Sequence, residues 1–256
     1  MEGPQGGAWR GSRPAGPSLS PREAAREVPW ILAYPHGGPD EAARVAEELE
    51  LLGVEDLYFV GEVSLGNVRL LGKGKSSIVL ECSIGGRRAA VKIRRLDAPV
   101  PDLALEASML RIANSAGVGP RLLAWGRDAI VMELLRGMPL EEFLRSEASP
   151  EMRVRAVAAA LDKARALDRA HLDHGELHDP GSHVLATRDG AEIIDFGSAS
   201  SSRRPSNVTS LGGAIARMIG LRPQGRLLES LRRYKREMSE EAYADVVESL
   251  VGAILL

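Results

Sequence analysis

Only one cysteine, Cys82, occurs in the 256 residues. A single thiol excludes an intrachain disulfide and any metal centre built from several cysteines. Its apolar surroundings predict a small filler in a strand rather than a reactive thiol. No run of 18 apolar residues occurs, which predicts no transmembrane helix. The N-terminal stretch has no apolar segment of the kind a secretion signal needs, so none is expected. A strong excess of charge of one sign is missing too. The formal net charge is −2 and the pI about 6.3, and neither predicts binding to DNA, RNA or a membrane through bulk charge. A cytoplasmic location fits this set.

What is present is ordinary for a globular protein. Apolar residues make up 44% and charged residues 27%, enough for one sizeable domain or two small ones. The start departs from this pattern. In residues 1–21, five Gly, four Pro and three Ser fill 12 positions. Such a composition does not bury enough surface to offset its ordering entropy, so residues 1–28 are expected to be a disordered tail. WILAYP then reads as a short buried strand and HGGPD as a turn. A helix follows, with Asp40 as N-cap, Ala42, Val45, Leu49 and Leu52 on one face, and Gly53 as its stop. With DLYFVGEV as the next strand, residues 29–67 are expected to form a strand–helix–strand extension.

Residues 68–136 read mainly as strands. VRLLGKG and SIVLECSI flank a Gly-Lys-Ser loop, and Gly85-Gly86 turns SIVLECSI into RRAAVKIRR. DLALEASMLRIANSAG suits a helix carrying Glu106, and RLLAWG pairs with AIVMELL around Arg127-Asp128. After Pro139 the character becomes helical. Val154, Val157, Leu161, Ala164 and His171 mark one face of a long helix, and further helices fit residues 209–220, 225–237 and 240–254. Strands first and helices later predict an α+β protein with a sheet-rich lobe and a helical lobe over 137–256.

Three features carry chemistry. Gly72-Lys73-Gly74-Lys75-Ser76-Ser77 lies between two strands, where glycines let backbone approach phosphates and lysines supply counter-charge. The G-x-x-x-x-G-K-[ST] spacing of a Walker A loop is not met. In Ala89-Ala90-Val91-Lys92-Ile93 a lysine sits inside an apolar strand, where its charge needs a partner. Glu106 on the next helix is the expected one. Asp195-Phe196-Gly197 ends another apolar stretch, placing a carboxylate where Mg²⁺ is commonly bound.

The order GKGKSSIV, AAVKI, LE, IVMELLRG, HGEL and IDFG resembles the protein-kinase-like superfamily. Within it the chain is most similar to compact atypical members: RIO-type kinases, the small kinase of the KEOPS tRNA-modification complex, and small archaeal Ser/Thr kinase-like relatives. The likeness covers about residues 68–256. It implies a bilobal kinase-like fold with a five-stranded N-lobe and a short helical C-lobe, preceded by the extension. It further implies a nucleotide site. Gly72, Lys73, Gly74, Lys75 and Ser77 would cover the triphosphate, Val79 and Ala90 would border the nucleotide, and Lys92 would pair with Glu106. Met132 would guard the adenine pocket, with backbone from Glu133 to Leu135 bonding adenine. Asp195 would hold Mg²⁺.

Two departures from the family stand out. The expected His-Arg-Asp reads His174-Gly175-Glu176, with Glu176 as the catalytic carboxylate. Five residues further on, where the family has a metal-binding asparagine, stands Gly181. Two residues later His183 takes that place, with Asp179 as an oxygen-bearing alternative, and a site so built would take Mg²⁺ or Mn²⁺. The resemblance implies an ATP-dependent Ser/Thr phosphotransferase acting on a protein or on itself, with ATP hydrolysis in an RNA-associated complex as a variant. A small-molecule kinase of the aminoglycoside- or choline-kinase type and a non-catalytic nucleotide-binding scaffold are the alternatives.

Overall fold

A computed structural model describes residues 18–255. The chain is α+β, as expected, and divides into two compact units: a sheet unit, 18–108 and 121–135, and a helical unit, 109–120 and 136–255.

Of the tail expected over 1–28, residues 1–17 lie outside the described residues. The remainder is ordered. Strand β1 (Ser18–Leu19) leads into helix α1 (Pro21–Glu27). Ser20 caps this helix in a reciprocal box: its hydroxyl accepts from Glu23 N at 3.3 Å, and Glu23 accepts from Ser20 N at 2.8 Å. Pro21 at the first helical position has its φ preset and lacks only an amide that would be unpaired anyway. A four-residue local signal therefore overrides the tail-like composition. The strand expected at WILAYP is instead helix α2 (Pro29–Leu32), again opened by proline, with Ile31 and Leu32 buried. Helix α3 (Pro39–Leu51) buries Ala42, Val45 and Leu49 on one face, the face that the spacing predicts.

Next come β2 (Val54–Tyr58), β3 (Val63–Leu65), β4 (Val68–Leu70), β5 (Gly72–Lys73), β6 (Ser77–Ile84) and β7 (Arg87–Arg94). Helix α4 (Ala104–Ser115) precedes β8 (Leu122–Trp125) and β9 (Ala129–Glu133). One sheet runs β1-β2-β6-β7-β9-β8, with β5 also on β6, and all its pairings are antiparallel. It has seven strands where five were expected. The difference comes from β1 and β2: β2 pairs with β6, so the segment 29–67 contributes to the sheet. Ala24, Ile31, Leu32, Val45 and Leu49 share one apolar cluster with Leu57, Leu80, Cys82, Val91 and Val131. Cys82 is fully buried there and its thiol is pushed up to about 12 by burial, a filler rather than a nucleophile.

Polar contacts tie the same segment down. Glu48 of α3 accepts from the amides of Asp128 at 2.7 Å and Ala129 at 3.1 Å, closing the β8–β9 turn. Asp128 itself is 1% exposed and binds Arg94 and Arg44.

In the helical unit, β10 (Gly137–Pro139), β11 (Val184–Thr187) and β12 (Gly190–Ile193) form an antiparallel three-stranded sheet. The helices are α5 (Leu140–Arg145), α6 (Pro150–Arg169), α7 (Asn207–Met218), α8 (Gly225–Glu237) and α9 (Glu240–Ile254). Helix α6, capped by Ser149, buries Val157, Leu161 and Ala164 of the stripe read from spacing, whereas Val154 is half-buried and His171 lies past the helix end, exposed. Among the described residues no helix is long and apolar enough to cross a membrane.

Candidate functional site

In the sheet unit the glycine loop is a tight hairpin. Gly72 lies opposite Val79 and Lys73 opposite Ile78, and Gly74 N donates to Ser77 O at 2.8 Å. Lys73, Gly74 and Lys75 are exposed at the tip, whereas Ser77 is buried at the start of β6. Directly across the sheet from Val79 is Lys92 on β7, with β9 on its other side. An ammonium on an inner strand is costly to desolvate unless a counter-charge is fixed beside it. Glu106 supplies that charge: Lys92 Nζ lies 2.6 Å from Glu106 Oε1, with side chains 7% and 11% exposed. The pairing expected across 14 residues is thus formed. Ala90 lies opposite Met132 on β9, so both border the same stretch of sheet as Lys92. Met132 and Leu135 are half-buried and Glu133 is exposed.

In the helical unit the hairpin β11–β12 gathers the other candidates. Val184 pairs with Ile193, and Ile194 N donates to His183 O at 2.9 Å. The open end of the hairpin therefore brings His183, just before β11, beside the start of Asp195-Phe196-Gly197, just after β12. Asp195 is exposed, with φ 66°, and its carboxylate accepts from Gly197 N at 3.3 Å. A left-handed residue other than glycine is uncommon, and such backbone is concentrated at functional sites. His183 Nε2 stands 3.1 Å from Glu176 Oε2, while its Nδ1 is buried and has no hydrogen-bond partner. In the neutral ring the proton must sit on Nε2 to make this bond. His183 thus orients Glu176. Asp179 is exposed in the same loop and lines a shallow cleft of about 180 Å³ with Glu141, Arg145 and Arg217. A methyl group placed on Gly181 would meet Glu141 at 3.0 Å.

The turn His174-Gly175-Glu176 is held from three sides. His174 is fully buried, and burial holds its imidazole below the ordinary value, hence neutral. Its Nε2 donates to Ile194 O at 3.0 Å, and its ring meets Phe196 and His183 edge-on. Its amide donates to Asn207 Oδ1 at 2.9 Å. Gly175 has φ 89°, and any Cβ there would lie 2.6 Å from Arg203. Arg203 donates to Asp173 at 2.9 Å and to Ser198 O at 2.5 Å. Glycine is required here by its positive φ and by the backbone, since a Cβ would also lie 2.8 Å from Ser198 O. Ser200 and Asp173 also exchange backbone hydrogen bonds, so the stretch from Ser198 to Arg203 is anchored here.

Among the described residues, no group of three or more His, Cys, Asp or Glu side chains gathers to hold a metal ion. The exposed carboxylate of Asp195 suits Mg²⁺, which keeps several waters and takes one or two carboxylates plus substrate phosphates. His183 has one nitrogen on Glu176 and the other buried, so it presents no ligand atom outward.

Neither a protein-family model nor a curated protein matches the chain.

Sequence reasoning did not reach Asp168 and Asp173, nor the contacts made by Asn207 and Arg203. Asn207 Nδ2 donates to Asp168 at 2.8 Å and Leu172 O at 2.7 Å, tying α6 and α7 to the His174 turn. An asparagine at a helix start reads from sequence as a cap and nothing more.

Proposed function

We propose that the chain is an ATP- and Mg²⁺-dependent phosphotransferase of the protein-kinase-like type, with a serine or threonine hydroxyl of a protein, or of the chain itself, as acceptor. The observation that carries this reading is the buried Lys92–Glu106 pair on an inner strand beside a glycine hairpin. A fold has little structural need for such a pair, and an apolar pair would be as stable. A lysine fixed in this way is suited to the α- and β-phosphates of a nucleotide. In this reading the sheet unit acts as the nucleotide lobe and the helical unit as the lobe of the catalytic loop.

In the helical unit, Glu176 accepts the proton of the attacking hydroxyl, and His183 fixes which of its oxygens faces that proton. Asp195 holds the metal, which supplies charge neutralisation at the phosphates when bound. Positioning accounts for most of the acceleration in this chemistry. The longer side chain of glutamate at position 176 therefore depends on its imidazole brace.

Incubating the purified chain with γ-phosphate-labelled ATP tests the proposal, in Mg²⁺ and in Mn²⁺, beside Glu176→Ala and Asp195→Ala. Labelled protein in the wild type is expected, with a fall of about 10²-fold or more in each variant, the loss typical of removing one positioned catalytic group. Labelled free phosphate without labelled protein would point to an ATPase. Nucleotide binding with neither product would leave a scaffold and overturn the proposal.

A further inference from the structure

We propose that the turn at residues 33–38 is a clamp that fixes the glycine loop Gly72–Ser77, with Tyr34 and Arg95 as its positioning residues. The inference rests on the reading of that loop as the phosphate-binding element.

Arg95 takes two of the loop's carbonyls. Its amide donates to Ser76 O at 2.8 Å, and its Nη1 donates to Gly74 O at 2.8 Å. These carbonyls flank Lys75. A carbonyl dipole turned toward a phosphate repels it, and both are neutralised here by a cation or an amide. Asp97 holds the other face of the guanidinium in a fork, at 2.8 Å and 2.6 Å, and the Arg95 side chain is only 16% exposed.

Tyr34 completes the arrangement. Its ring faces the Arg95 guanidinium at 5.0 Å and the Lys73 ammonium at 5.2 Å, so one aromatic ring meets both a cation from the loop and the cation that braces it. Its backbone carbonyl accepts from Leu96 N at 2.8 Å. The turn is packed against the same segment, because a Cβ at Gly37 would strike Leu96 at 2.3 Å and Ala33 at 2.5 Å. The contacts thus run from the 33–38 turn to Arg95–Asp97 and on to the loop.

The physical consequence is preorganisation. A hairpin tip with exposed Lys73, Gly74 and Lys75 has little packing of its own, and ordering it during binding subtracts from affinity. The clamp orders it beforehand. This also accounts for an N-terminal segment built into the sheet rather than appended to it.

Hydrogen exchange and binding together test the clamp. Tyr34→Ala and Arg95→Gln are expected to speed amide exchange across residues 72–77 about tenfold without nucleotide, while Tyr34→Phe, which keeps the ring, leaves it unchanged. By calorimetry the first two variants weaken ATP about fivefold to twentyfold and leave adenosine within twofold, because only the phosphates meet the loop. A general loss of structure would weaken both ligands alike, and that result overturns the proposal. Unchanged exchange in both Tyr34→Ala and Arg95→Gln overturns it equally. A wild-type chain that binds neither ligand would remove the phosphotransferase reading, and exchange at the loop would still decide the clamp.

Discussion

Asp128→Ala is expected to lower the free energy of unfolding by about 3 kcal/mol, the lower end of the range for removing one partner of a buried ion pair. Asp128 is 1% exposed and binds Arg94 at 2.6 Å, and Arg44 closes on its other oxygen. The two arginines do not weigh equally. The Arg94 side chain is 10% exposed and loses its counter-charge in the low-dielectric interior, whereas Arg44 is 46% exposed and rehydrates. Arg94 keeps its hydrogen bonds to Arg95 O at 3.1 Å and Val100 O at 3.5 Å, which is why the loss stays near the lower bound. Arg44→Ala should therefore cost less than about 1 kcal/mol. Arg94→Met combined with Asp128→Ala should recover much of the loss, since no charge is then left buried. Urea denaturation of the four proteins decides it, and equal losses in Arg44→Ala and Asp128→Ala would refute the ranking.

The same carboxylate sets a pH dependence. Burial alone pushes Asp128 up, but the hydrogen bonds and charges of Arg44 and Arg94 outweigh it and hold the group below its ordinary 3.8. Its stabilisation is complete above that ordinary value. It is lost as pH falls through the lower folded value, because the unfolded chain takes the proton first. The wild type should lose stability below about pH 4, and Asp128→Asn should show a flatter acid limb.

Legibility from sequence followed the range of the interaction. Helices α6, α8 and α9 were readable because each carries its own apolar period, and α6 and α9 a serine cap as well. The glycine loop, Lys92 and Glu106 were readable because 14 residues and a fixed order of elements link them. Helix α1 was hidden because tail-like composition masked a Ser-Pro-Arg-Glu cap. Asp128 was visible only as part of a turn, since the arginines that answer it lie 34 and 84 residues away. Tyr34 gave no signal at all: its partners Lys73 and Arg95 are cations in distant segments, and nothing local distinguishes a tyrosine that will face them. Glu176 and His183 were both singled out. Their contact was not, because it depends on how the loop between them folds back.

Asp168→Ala should cost about 4 kcal/mol and, if the proposed function holds, slow phosphotransfer as well. Asp168 is 1% exposed and accepts four hydrogen bonds: from Asn207 N at 2.9 Å, Asn207 Nδ2 at 2.8 Å, Val208 N at 3.2 Å and Tyr234 Oη at 2.9 Å. Two of these are the first amides of α7, which have no carbonyl of their own to meet. Each orphaned buried donor costs about 1–3 kcal/mol, discounted here because water can enter the vacated space. Asp168→Asn keeps the shape but turns an NH₂ group toward donors, so it should still cost about 2–3 kcal/mol. Burial pushes the Asp168 carboxyl above its ordinary 3.8, against the pull of its donors. Its contribution to stability is therefore greatest below that value and falls as pH rises through the folded one, opposite in sign to Asp128. Asn207, once released from Asp168, holds the His174 amide less firmly, and Glu176 follows two residues later. Under the proposed function, Asp168→Asn is accordingly expected to reduce kcat more than it raises KM for ATP, at a temperature where the variant is fully folded. Wild-type stability in Asp168→Asn, with kcat intact, would show that these four hydrogen bonds do not anchor the turn.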